Sequence, residues 1–174
     1  MMDRQLSSSM ASWEAESGMA SRCGGVDCVF LSCFDHNALF LASMLGQGGI
    51  RLHRAHTLEM ADFLLLATRG TALVTDTTFL DGSWEDALAM VGQVHPLVAT
   101  LICADLVDRE FVARARERGA FNVLFRPIEL DRLRTSIRTA HEVTFERRLW
   151  LSARDQASRS SEHSYPGFRL ETVK

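Results

Sequence analysis

The 174-residue sequence predicts an α/β fold: an open parallel sheet wound on both faces by helices. Three observations predict it. Five short apolar runs alternate along the chain with five helical patterns. Strands joined by helical crossovers run parallel and need cover on both faces. The middle runs are apolar throughout, as befits strands buried on both sides.

Each element has its own local reason. "VDCVFLSC" (26–33) reads as the first buried strand. "NALFLASMLGQGG" (37–49) carries Ala38, Leu41, Ala42 and Leu45 at helical spacing and is closed by glycines. "IRLHRA" (50–55) alternates, which suits an outer strand with one covered face. "TLEMADFLLLATRG" (57–70) reads as a helix capped by Thr57 and ended by Gly70. "TALVTD" (71–76) is the third strand. A helix follows within 81–94, with Ser83 as its cap and Glu85 and Asp86 in the first turn, where the helix dipole favours negative charge. "PLVATLIC" (96–103) is the fourth strand, and 105–120 is a helix closed by Gly119. "FNVLF" (121–125) is the last strand. A long helical pattern then opens on Pro127 and runs to about Gln156, before a polar, loose tail from about Ser158.

The bulk numbers set limits. With 47% hydrophobic and 24% charged residues, the chain has the make-up of a soluble globular domain. A formal charge of -3 supplies no electrostatic drive toward nucleic acid. No apolar run approaches the roughly 20 residues that span a bilayer, so no membrane association is expected. Residues 1–25 are rich in Ser, Met and Gly without an apolar stretch. They read as a disordered lead-in, not a secretory signal, and the cytoplasm is the expected location. Cys23, Cys28, Cys33 and Cys103 have neither zinc-ligand nor redox-pair spacing. They read as small core thiols, with redox sensing at Cys33 or Cys103 as the alternative. The six histidines are scattered and offer no metal pair on one helix face.

Asp76 carries the chemical interest. The apolar run Ala72-Leu73-Val74 drives toward a carboxylate, a poor strand residue that is costly to bury unpaired. In open parallel sheets, sites lie beyond the carboxyl ends of the strands, and Asp76 ends the third one. The competing reading is a turn residue capping the Thr77–Asp81 segment.

"ALVTDTTF" and "ERGAFNVLFRPIELDRL" carry a resemblance. With Gly119, Ala120, Pro127 and Leu130 in matching places, and Asp76 fifty residues before Arg126 (126 − 76 = 50), the stretch from about 26 to 142 resembles the receiver domain of two-component response regulators, the CheY-like family. The resemblance implies a flavodoxin-like, doubly wound, five-stranded parallel sheet of order 2-1-3-4-5. It also implies a lead-in over 1–25, a receiver-like domain over 26–142, and a helix extension with a loose tail over 143–174.

It further implies Asp76 as the phosphoacceptor and a Mg2+ ion held by an acidic pair, by Asp76 and by the Thr78 carbonyl. The acidic pair falls on Cys33 and Phe34, with Asp35 near enough to substitute as a ligand. The hydroxyl position falls on Ala104, or on Cys103 with a small gap. The lysine position is Arg126, and the switch aromatic falls on Val123, between Phe121 and Phe125. Arg126 keeps the charge as a planar fork and is expected to pair with Asp76 across the strand ends. With at most two carboxylates, Mg2+ binding is expected to be weak.

Val143, Phe145, Leu149, Trp150 and Leu151 extend the last helix with too many large apolar groups for a solitary solvated element. They imply a homodimer or a docked partner through that helix; the alternative is folding back on the domain. No output domain is expected in the residues that follow.

The expected function is that of a stand-alone receiver-like protein of two-component phosphorelay signalling. It would not be an enzyme beyond self-phosphorylation at Asp76, and it would act mainly by contacts with a sensor histidine kinase or another signalling protein. The alternatives are a competent phospho-accepting regulator and, from another class, a small flavodoxin-like ligand binder or enzyme. The last lacks a glycine-rich phosphate loop where "SCFDHN" stands.

Overall fold

Side chains that are apolar on both sides of the strands decide the layering. The computed structural model describes residues 25–33, 35–105 and 108–162, without the side chains of 35–40 and 160–162. Five strands are β1 (Val26–Leu31), β2 (Ile50–Ala55), β3 (Ala72–Asp76), β4 (Ala99–Ala104) and β5 (Asn122–Phe125). They form one parallel sheet in the order β2-β1-β3-β4-β5, as expected. The helices are α1 (Asp35–Gly46), α2 (Leu58–Thr68), α3 (Trp84–Val94), α4 (Arg109–Glu117) and α5 (Leu130–Glu162).

Pleat alternation divides the core. Cys28, Phe30, Ala72, Val74, Leu101 and Cys103 pack with Leu45, Leu133 and Ile137 of α1 and α5. Val29, Leu31 and Leu73 pack with Ala61, Leu65, Ala87 and Val91 of α2 and α3, while Ile102 and Val123 meet Trp84 and Ala115 of α3 and α4. β2 lies at the edge and is only part buried, as its alternation predicts.

The caps are local and fall where expected. The Thr57 hydroxyl accepts the Met60 amide at 3.2 Å, and the Asp81 carboxylate accepts the Leu58 amide. At α3, the Asp86 carboxylate accepts both the amide and the hydroxyl of Ser83, at 2.8 and 2.9 Å. Gly119 adopts φ 96°, a conformation that favours glycine, just past α4.

Several element ends are shifted by two to four residues from expectation, and three of the differences have a readable cause. The left-handed residue ending α2 is Arg69 (φ 53°), not Gly70; the Arg148 guanidinium donates to the Arg69 and Gly70 carbonyls at 3.1 and 2.9 Å and holds that turn. Pro127 stands ahead of α5, which begins at Leu130, because Ile128 and Leu130 are drawn onto the core first. α5 continues to Glu162, past Ser158, since serines and charges there weaken a helix without breaking it.

α5 descends across the sheet and is fastened to its lower edge. Arg138 donates to the Gly48 carbonyl, the Thr144 hydroxyl to the Thr71 carbonyl, and His141 Nδ1 lies 2.9 Å from the Thr71 hydroxyl. No helix among the described residues is long and apolar enough to cross a membrane.

One flaw in the core yields a test. Thr100 is 1% exposed, on the Ile102 side of β4, and its hydroxyl has no hydrogen-bond partner. Thr100→Val keeps the shape and removes a desolvated hydroxyl. It should raise unfolding free energy by about 1 kcal/mol in urea titration; an equal or lower value would mean the hydroxyl is satisfied in solution.

Candidate functional site

Asp76 ends β3 at the carboxyl edge of the sheet, 3% exposed. A carboxylate there needs partners, and two strand ends provide them. β1 and β3 run in register with Leu31 beside Thr75, so the next residue, Ser32, comes level with Asp76. The Ser32 hydroxyl donates to Asp76 Oδ2 at 2.5 Å. Ser32 is itself held, its amide donating to the Ala55 carbonyl at 3.1 Å and its carbonyl lying 2.9 Å from His56 Nδ1.

Arg126 follows β5, and its amide is tied to the Ala104 carbonyl at 2.9 Å. Its guanidinium donates through Nη2 to Asp76 Oδ1, and through Nη1 to Asp105 Oδ1 at 3.2 Å. One fork thus spans a buried carboxylate and an exposed one. Burial opposes the Arg126 charge, but the Asp76 carboxylate and the hydrogen bonds outweigh it and raise the guanidinium pKa further above its usual value.

The expected site residues divide clearly. Asp76 and Arg126 meet, as the sequence implied. Thr78 is exposed and pairs with Ser83 in a two-residue hairpin (Thr78–Phe79 with Gly82–Ser83), and the Thr77 carbonyl accepts the Trp84 amide, so the segment after Asp76 is braced against α3. Asp35 is the first residue of α1; its side chain, and all of Phe34, lie outside the described residues.

Of the expected pair on Cys33 and Phe34, Cys33 is exposed and Phe34 lies outside the described residues; the residue level with Asp76 is Ser32. Ser32 comes level with Asp76 through the β1–β3 register, which no local pattern around residue 32 fixes. The available signal was that Ser32 is the first polar residue after "VFL". Asp105 was also missed, although it directly follows β4.

Ala104, 3% exposed, presents only a methyl group at the hydroxyl position. Val123 is buried, with Phe121 packed against the α1–α5 core and Phe125 against the α3–α4 core. A cavity of about 270 Å3 opens beside Ala104, lined also by Thr77, Asp105, Asp108 and Phe111, so carboxylates border it. Cys103 lies in register with Asp76 but is buried, and burial with the nearby Asp76 carboxylate pushes its thiol up to about 12. That removes Cys103 as a redox-sensing thiolate.

Among the described residues, the donors around Asp76 offer Mg2+ few free oxygens. Such an ion wants carboxylate and carbonyl oxygens in an octahedron. Here one Asp76 oxygen accepts a hydroxyl and the other a guanidinium, and among the described residues no group of three or more His, Cys, Asp or Glu side chains is placed to hold a metal.

No family model matches the chain, and no curated protein matches it. Solved structures do. The signal receiver domain of a Luxo repressor protein from Vibrio parahaemolyticus superposes with a TM-score of 0.66 at 18% identity, covering 72% of this chain and 96% of the other. The signal receiver domain of an HD domain-containing protein from Pseudomonas fluorescens Pf-5 gives 0.64 at 18%, covering 72% and 93%. The receiver domain of the Francisella response regulator 1452 gives 0.62 at 19%, covering 69% and 99%. The chain therefore has the fold of response regulator receiver domains, and at this identity the likeness is one of fold.

The ion pair can be tested by removing one half. Arg126→Met leaves a buried carboxylate with a single hydroxyl donor and should cost about 2 kcal/mol in urea unfolding. Adding Asp76→Ala should recover most of that loss. If Arg126→Met unfolds like the parent, the pair carries no stability.

Proposed function

We propose that this chain is a receiver-like protein of two-component signal transduction that works mainly through protein contacts, with its candidate phosphoacceptor, Asp76, occupied by its own side chains. The observation that carries this reading is the double engagement of the Asp76 carboxylate by Ser32 and Arg126. An aspartate that attacks a phosphoryl group needs a free oxygen, a cation to neutralise the incoming anion and donors for the transferred oxygens. Here the cation is spent on the nucleophile, and Ala104 offers no hydroxyl. The Asp105 and Asp108 carboxylates beside the adjoining cavity would repel the incoming phosphoryl group.

In this reading Arg126 serves as a permanent counter-ion that holds the strand ends together. The protein is not an enzyme beyond, at most, self-phosphorylation at Asp76. Its partners are a sensor histidine kinase, another signalling protein or a second copy of itself, met in the cytoplasm. Any Mg2+ would be held weakly, with Asp35 and the Thr78 carbonyl as the remaining candidate ligands beside Asp76.

Intact-mass measurement after incubation with Mg2+ and acetyl phosphate tests it. The expected result is no gain of a phosphoryl group. A one-phosphoryl increase that disappears in Asp76→Ala would identify a competent phospho-accepting regulator instead. As the positive counterpart, Ser32→Asp combined with Ala104→Thr and Arg126→Lys, checked for folding by circular dichroism, should acquire that increase.

A further inference from the structure

The last half of α5 is unlike the rest of the surface. At the middle of the helix, Arg148 grips the Arg69 and Gly70 carbonyls. Around and beyond that point Phe145, Leu149, Trp150 and Leu151 stand 50%, 54%, 62% and 39% exposed. Thr144 is buried and Arg148 part buried, so Glu146, Leu149, Trp150, Ala153 and Ala157 fall on the side of the helix turned away from the domain. Next to Trp150 and Leu151, a groove of about 500 Å3 is bounded by Leu97, Glu146 and Arg147.

The charges on this face are arranged about Trp150. Glu146 lies one turn before it (150 − 4 = 146) and Arg154 one turn after (150 + 4 = 154). The Arg154 guanidinium carbon sits 5.4 Å from the Trp150 ring centroid, which holds the cation at the centre of the face. Neither Glu146 nor Arg154 has an ion-pair partner among the described residues.

We propose that this face pairs with the same face of a second copy, antiparallel, about a two-fold axis through Trp150. The inference deepens the reading that the chain works through protein contacts, and rests on it. The two-fold sets each residue opposite the one equally far on the other side of residue 150. Glu146 then meets the partner copy's arginine at 154, twice over. Val143 meets alanine at 157. Arg147, on the flank of this face, stands opposite an alanine, while Arg148 is held on the domain side, so no like charges oppose. A parallel pairing would set residue 146 against 146 and 154 against 154, carboxylate on carboxylate and guanidinium on guanidinium, which is unfavourable. The tryptophans at the centre supply the desolvated anchor that interfaces of this kind use, and the small Ala153 and Ala157 permit close approach.

Sedimentation of the full chain tests the proposal, with circular dichroism confirming helix content in each variant. The parent should sediment as a dimer. Glu146→Arg alone should weaken dimerisation about tenfold, because arginine then faces arginine at both contacts, and Arg154→Glu alone should do the same with paired carboxylates. An equimolar mixture of the two variants should form a heterodimer at the parent's concentration range, since both contacts become complementary again. A parent that stays monomeric, single variants that dimerise like the parent, or a mixture that remains monomeric would each overturn the antiparallel pair. These outcomes leave the phosphoryl-capture result untouched, so failure of the dimer is distinguishable from failure of the signalling reading.

Discussion

The contact between the Asp76 carboxylate and the Arg126 guanidinium organises the carboxyl edge of the sheet. An acid that is 3% exposed at the end of a central strand would be expensive alone. Paired with a guanidinium and a serine hydroxyl it becomes a staple joining β1, β3 and the segment after β5, and through Asp105 the segment after β4. Those are the strand ends where an open parallel sheet presents chemistry. The same contact engages both Asp76 oxygens and the Arg126 cation, which under the proposed function leaves neither free for phosphoryl capture.

The departures around the pair agree in direction. Ser32 contributes a neutral donor where an acidic ligand would strengthen a metal site. Ala104 contributes a methyl group, and Val123 fills its place in the α3–α4 core with no aromatic ring to swing. Cys103, beside Asp76 in register, is kept as a neutral thiol by burial. Under the proposed function, each of these side chains lacks one part of the transfer chemistry, while the packing of the fold stays intact.

α5 links this edge to the opposite one. Its first half packs Leu133 and Ile137 on the sheet, and its middle is fastened to the Gly48, Arg69, Gly70 and Thr71 carbonyls. Carbonyls at loop ends want donors, and arginine and threonine side chains on a passing helix supply them. Beyond Arg148 the helix carries the exposed apolar groups Leu149, Trp150 and Leu151. The change from anchoring polar residues to exposed apolar ones along a single helix marks where the domain's internal packing ends and an outward-facing surface begins.

How much was legible follows from how local each cause is. The strands, the parallel topology and the caps at Thr57 and Ser83 could be read directly, because period-two and period-3.6 patterns and capping chemistry act within a few residues. The pairing of Asp76 with Arg126 was also readable, since both lie where strands must end. Ser32 was not, nor was the link to Asp105. Which residue of β1 comes level with Asp76 depends on a register between strands forty residues apart in sequence, and one step of slip turns every side chain to the other face. The same holds for Arg69, whose left-handed turn is held by a guanidinium from α5. Sequence by itself determined the elements and the residue types at the sheet's edge; only the tertiary structure decided their mutual register, because hydrogen bonds between distant segments select one alignment from several that satisfy the local pattern equally well.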